Sequence, residues 1–387
     1  MSIKMPEIFT RVVSLFRQQP DMTRMGFLST FFVAGPDAFT DADTINLDIV
    51  KTSEEVAPAI QDLSTGAITL VEDKFTNMEI PFPTYALDSP VTVYQLMKRQ
   101  PGETAVVTER VNWLGRLARV LIPKFAIMTA MIRRSMEHQA AQVLQTGKVT
   151  LTDENGKPTY ILDLHPKATH FPDVAIAWGD TNYDPLADID GLADVIRDDG
   201  QADVVTLVFG RKAWDAFIRN SWVKENVKQD QLGLGVLDPA ILGKGGKYMG
   251  YVHSGSSRYD LILYNGRYSE FGSKDIKKFL DDDSVILLPS TTDLDFRRYF
   301  GGIPDFISDP VSEELFGGSI QVEGEYDFRP RIYSDIKRNT YIGEVKSRPL
   351  FLPVSLDRFG CLNTLASTVE VKEEGGGEES GGEEETK

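Results

Sequence analysis

The chain has 387 residues, a prior of two to three domains at about 150 residues each, with 41 Lys+Arg against 58 Asp+Glu and a net charge of −17. Its 41% hydrophobic content is that of a folded chain and excludes wholesale disorder, while the charge argues against a surface that grips nucleic acid or anionic lipid throughout. A single cysteine, Cys361, excludes an intrachain disulfide and any paired-cysteine zinc pattern. No run approaches 18 apolar residues and Met1 to Phe16 lacks a secretion signal, so a cytoplasm is the expected place of synthesis and no membrane contact is expected.

The chain opens on a short arm with an amphipathic stretch from Pro6 to Phe16, interrupted at Pro20. Met25 to Val33 follows, with Phe27, Phe31 and Phe32 close together. Such aromatic density needs a covering surface, either its own domain or a neighbouring subunit. Residues 44–50 alternate apolar and polar and predict a half-buried strand. Lys51 to Tyr85 mixes β-rich runs with charges and three prolines and shows no core pattern, as a functional loop or hairpin would.

The most periodic segment lies between Thr108 and Gly147. Leu114, Leu117, Leu121, Phe125, Met128, Ile132, Met136, Ala140 and Val143 recur at steps of three and four. Pro123 would cost an unbroken helix a hydrogen bond, so the expectation is two helices, near 109–121 and 123–146, the second ended by Gly147. Alternation on both sides of Asn155-Gly156 predicts a hairpin over 148–164. Asp184-Pro185 opens a helix to Asp199; a strand at Val204–Phe209, an amphipathic helix at Arg211–Val227 and strands at Tyr259–Tyr264 and Val285–Leu288 come next. Residues 326–362 read as extended β, and Glu370 to Lys387, with eight Glu, five Gly and two Lys, as a disordered acidic tail of net charge −6. The pattern is α+β without regular βαβ alternation.

No constellation for chemistry emerges. Gly243-Lys-Gly-Gly246 lacks the spacing and the Lys-Ser/Thr ending of a phosphate loop. His138, His165, His170 and His253 include no i,i+4 pair, and Asp188-Ile-Asp190-Gly191 lacks the ligand series of a calcium loop, so neither metal nor cofactor is expected. Ser221-x-x-Lys224 and Ser334-x-x-Lys337 are chance-length patterns without partner motifs, Cys361 has no nearby His, and Asp281-Asp-Asp283 reads as an exposed turn, so no catalytic residue is assigned. Arg110, Arg116, Arg119, Lys124, Arg133 and Arg134 lie around the helices without aromatic interleaving, better suited to carboxylates of the same chain or a neighbour than to base readout.

The order of elements carries more than any motif. The aromatic arm segment Met25 to Phe32, the long helix closing on Leu144-Gln-Thr-Gly147 with its hairpin, and the block Trp178-Gly-Asp-Thr-Asn-Tyr183-Asp184-Pro185 come first. Val208-Phe209-Gly-Arg-Lys-Ala-Trp214, Tyr259-Asp-Leu-Ile-Leu-Tyr264 and Arg348-Pro349-Leu350-Phe-Leu-Pro-Val354 follow. In this order, over about residues 20–365, the chain resembles the lambda-type major capsid (major head) proteins of tailed phages, with the Hong Kong 97 capsid fold.

The resemblance implies an N-terminal arm at 1–40 and an extended loop at 51–85 reaching over a neighbour. A peripheral domain would be built from 41–50, 86–185 and 301–369 around a long spine helix, with an axial domain at 186–300. The tail, 370–387, lies outside it. The implied function is a non-enzymatic, self-assembling head protein. Hexamers and pentamers would close into an icosahedral shell that encloses double-stranded DNA without sequence-specific binding. A separate scaffolding protein and a portal are the implied partners, with or without a decoration protein. Assembly in the host bacterial cytoplasm would place the product in the virion. The assigned inter-subunit contacts are Phe27, Phe31 and Phe32 on the arm, Glu72 and Lys74 on the loop, and Arg116, Arg119, Arg133 and Arg134 on the helices. The competing readings are an encapsulin-like compartment shell and, from another class, a soluble hydrolase using the Asp-rich insertion.

Overall fold

A computed structural model describes residues 26–35, 38–40, 42–49, 76–98, 113–179, 183–226, 245–290, 293–303, 328–335 and 337–365. The amphipathic stretch at 6–16, Glu72, Lys74 and the acidic tail lie outside these residues. In chain order a short 3-10 turn, Leu28–Phe31, precedes β1 (Phe39–Thr40), β2 (Thr44–Ile49), β3 (Thr76–Pro81) and β4 (Tyr85–Thr92). Helix α1 (Val93–Met97) and the spine, α2 (Trp113–Thr146), lead to the hairpin β5 (Lys148–Thr152) and β6 (Pro158–Asp163). Then come α3 (Pro185–Gly200), β7 (Val204–Phe209), α4 (Arg211–Arg219), α5 (Ser221–Asn226), β8 (Gly246–Ser254) and β9 (Ser257–Tyr264). Strands β10 (Arg267–Ser269), β11 (Ile276–Lys278), β12 (Ser284–Pro289), β13 (Phe296–Gly301), β14 (Arg329–Asp335), β15 (Thr340–Ser347), β16 (Pro349–Pro353) and β17 (Gly360–Asn363) complete the α+β fold.

The spine corrects the expectation of two helices. It is one helix of 34 residues, about 51 Å long, with Pro123 inside it. Pro123 and Arg119, the residue whose carbonyl loses its partner, both lie on the exposed side, where water can take that bond. Leu117, Leu121, Phe125, Met128, Ile132 and Met136 stay buried on the opposite side without a break in phase. Continuous burial outweighs the proline's cost of about 3 kcal/mol. Gly147 ends the helix as expected, at φ +64°, with its N–H donating to the Val143 carbonyl at 2.8 Å.

Two further expectations are refined. The Asn155-Gly156 hairpin forms, but its loop spans Asp153 to Lys157, because the Asp153 carboxylate accepts from the N–H groups of Asn155 (2.8 Å) and Lys157 (2.9 Å). The helix expected from Arg211 to Val227 breaks at Asn220, whose side-chain oxygen accepts from Trp222 N–H at 2.7 Å and starts α5 afresh. Asp184 caps α3 as read from sequence, accepting from Leu186 N–H at 2.9 Å.

The central feature is a five-stranded sheet in the order β17-β12-β7-β9-β8, with β7 and β9 parallel and the other pairs antiparallel. It is buried on both faces. Val285 and Leu287 of β12 join one core with α3, α4, Trp178 and Phe217, while Ile286 and Leu288 join the other with α2. The same alternation separates Phe209 from Val208 and Leu261 from Ile262, and it accounts for the continuous apolar runs of these strands. The strands do not follow sequence blocks. Strand β17, from the 301–369 range, forms one edge of this sheet, whereas β13, largely from the 186–300 range, pairs with β16 and β1. A third sheet, β14-β15-β4, packs on the spine, and β2 and β3 form a two-stranded ladder of their own.

Candidate functional site

Two buried charged side chains each draw residues from distant parts of the chain to one point. The first is Glu137 on the spine, 2% exposed. Its two oxygens accept from Leu28 N–H at 2.8 Å and Ser29 N–H at 2.9 Å, and one of them also accepts from the Tyr264 hydroxyl at 2.6 Å. Those amides open the 3-10 turn and have no partner within it, so a carboxylate is the complement they need. Burial, with the Glu137 charge alongside, pushes the Tyr264 phenol far up and keeps it a donor. Gly26 must be glycine because any Cβ there would run into the Glu137 carboxylate. One side chain thus joins the arm root, the spine and the central sheet.

The arm's aromatic rings complete this root. Phe27 packs edge-on to Phe31 at 5.1 Å and lies 5.9 Å from Tyr264, while Phe32 stacks on Phe296 at 5.1 Å and meets Phe351 edge-on at 5.2 Å. Phe27 and Phe32 are buried inside their own chain, where the nearest apolar surface claims them. Phe31 is half-buried and Thr30 and Val33 are exposed.

The second side chain is Arg348, between β15 and β16 and 7% exposed. Its guanidinium donates to the Gly302 carbonyl at 2.5 Å, the Phe82 carbonyl at 3.4 Å and the Asp43 carboxylate, and lies 5.8 Å from the Phe82 ring centre. Asp43 immediately precedes β2 and Phe82 immediately follows β3. The clasp therefore closes the base of the ladder whose distant end leads into residues 50–75. Next to it the Tyr160 hydroxyl donates to the Pro81 carbonyl at 2.9 Å, and burial pushes that phenol up to about 12.

The four helical arginines do not form one patch. Arg116 is buried and donates to the Leu96 carbonyl at 3.0 Å, fastening α1 to the spine. Arg133 lies 5.4 Å over the Phe328 ring, Arg134 donates back to the Ala130 carbonyl, and Arg119 is exposed. From Arg116 to Arg134 the distance along the helix is about 27 Å.

Of the histidines, His170 is fully buried, with its ring nitrogens 2.9 Å from the Phe359 carbonyl and 3.1 Å from Asp199. With Asp357 these residues have the donor set of a cation site. Lys167 already supplies the cation, its ammonium lying 2.9 Å from Asp199 and 3.3 Å from Asp357. The Lys167 and His170 hydrogen bonds hold the Asp199 carboxyl below the usual carboxylate range.

Glu137 and Arg348 went unassigned in the sequence, although each leaves a trace there: a carboxylate beside the core stripe of a helix, and a cation inside the buried run Ser347 to Pro353. Neither trace names a partner.

The family model of phage major capsid protein E matches residues 17–357. The chain belongs to that family. Among solved structures it is similar to a protein described as a prophage capsid protein of Escherichia coli CFT073, at 17% identity and a TM-score of 0.61, over 94% of this chain and 99% of that one. It is also similar to a phage-related protein of Bordetella bronchiseptica RB50, at 14% identity and a TM-score of 0.45 over 94% and 97%. The satellite phage P4 procapsid aligns at 10% identity and a TM-score of 0.43 over 92% and 98%. No curated protein matches. The α+β fold is the Hong Kong 97 type, and the capsid protein is a shell-forming structural protein.

Proposed function

We propose that this capsid protein builds the icosahedral head of a tailed phage from hexamers and pentamers around double-stranded DNA, which it encloses without reading. The arm, 1–40, and the loop, 51–85, reach neighbouring subunits; the peripheral and axial domains follow the ranges given above, with α2 as the spine. A separate scaffolding protein guides assembly in the host cytoplasm, a portal occupies one vertex, and the finished shell, with or without a decoration protein, resides in the virion. The acidic charge keeps the free subunit soluble and leaves the lining unattractive to DNA.

The observation that supports this reading best is the ladder of β2 and β3. Its base packs on the core through Ile80, Ile45 and Met78, but among the described residues it pairs with no third strand, and unpaired strand edges are a template for another chain. A neighbouring subunit is the natural source of its cover. Electron microscopy of the purified protein, with and without a co-expressed scaffolding protein, tests the proposal. Closed shells or hexameric rings are expected, and a protein that stays monomeric under both conditions would overturn it.

A further inference from the structure

We propose that Arg348 is a positioning residue for assembly: its guanidinium fixes the direction in which the extended loop leaves the body, and a loop released from it fails to meet the next subunit. This rests on the reading that the loop contacts a neighbour.

Strands β2 and β3 pair with each other over Thr44–Ile49 and Thr76–Pro81, and among the described residues neither belongs to a larger sheet. The ladder's hold on the body lies near its base, where Ile80 is buried in the main core with Ile45 and Met78 packed against it, and the direction of the ladder is set there. At that base three backbone points converge on one side chain: Asp43 before β2, Phe82 after β3, and Gly302 after β13. The first two belong to the ladder and the third to the body. A guanidinium suits such a convergence because its donors are fixed in one plane, so satisfying several acceptors also fixes their relative orientation. Lysine would supply the charge without the angles.

The side chain is not placed for the stability of the core. Its Nε–H is buried without an acceptor among the described residues, a cost that an apolar side chain of similar volume would avoid. A cation retained there, inside the otherwise apolar Pro349–Pro353 approach, serves geometry. The ring of Phe82 lies beside the guanidinium and seats against Gly301, so the clasp holds the body side as well as the loop side.

The test compares the wild type with Arg348→Met, Arg348→Lys, Asp43→Ala and a chain in which residues 52–73 are replaced by a short Gly-Ser turn, all full-length otherwise and co-expressed with the scaffolding protein. Asp43 has a side chain 82% exposed, so its replacement leaves the fold intact even where the Arg348 variants do not fold. Hydrogen exchange should show the β2 and β3 amides of Arg348→Met exchanging at least tenfold faster, with those of α2 and β12 unchanged. Shell yield should fall at least tenfold in Arg348→Met, remain low in Arg348→Lys, and fall about threefold in Asp43→Ala with the same local exchange signature. Normal shells and unchanged ladder exchange in both Arg348→Met and Asp43→Ala, while the loop replacement abolishes shells, would overturn the clasp and leave the loop reading standing. Normal shells from the loop replacement would overturn the loop reading and the assembly role of Arg348 together.

Discussion

The arm root and the loop root solve the same problem with opposite charges. At the arm, the chain enters a 3-10 turn whose first amides have no partner, and the buried group is a carboxylate that accepts from two of them. At the loop, two strand ends leave carbonyls pointing inward, and the buried group is a guanidinium that donates to them. The sign of each buried charge follows from which half of the peptide group is orphaned. The supports differ too. Glu137 stands on a long helix packed along most of its length, whereas Arg348 stands at a junction between two strands.

The largest test of that contrast is Glu137→Gln. An amide offers one acceptor oxygen where Leu28 and Ser29 need two, and its NH2 would face a donor. Urea denaturation should show a loss of about 3 kcal/mol, since each buried donor left unpaired costs about 1–3 kcal/mol. Gly26→Ala attacks the same contact from the other side and should cost about 2 kcal/mol. The double variant should fall short of the sum by more than about 0.5 kcal/mol, because the two changes break one contact. Full additivity would separate Gly26 from Glu137.

A smaller effect is expected at the ion-pair cluster, which belongs to neither root. The Asp199 carboxyl is held below its ordinary range, so its contribution is complete above about pH 4 and is lost as pH falls through the folded-state value. Asp199→Asn should cost about 1 kcal/mol at pH 7, a modest figure because about a third of the side chain meets solvent. The difference from wild type should shrink steadily as pH falls below about 4, as followed by thermal unfolding across pH. The smallest change is expected from Arg134→Ala, exposed on the spine and bonded only to its own helix among the contacts seen here. Stability should stay within about 0.5 kcal/mol. Shell yield measured on the same variant then tests the proposed contact between subunits, with no folding defect to confuse it.

Much of the scaffold was legible because its signals are local. The three-and-four periodicity of the spine, the Asp184-Pro185 start, the Gly147 stop and the strand at Val204–Phe209 all depend on neighbours within a turn or a strand, and all appear where expected. What the sequence left unresolved lies where distant parts of the chain intervene. Pro123 is carried inside the helix by core contacts that no nearby residue reports, and Phe27 and Phe32 are claimed by Tyr264, Phe296 and Phe351, far along the chain.

The sequence by itself determined the element types, the order in which they occur and the family they belong to, since periodicity, caps and turn residues act over a few positions. Only the tertiary structure decided which core each residue of β12 enters, that Glu137 meets residues 108 and 109 positions away, and that Arg348 reaches back 305 positions to Asp43. A buried charge declares that it must have partners. Which partners it has depends on how the whole chain closes, and that is a property of packing.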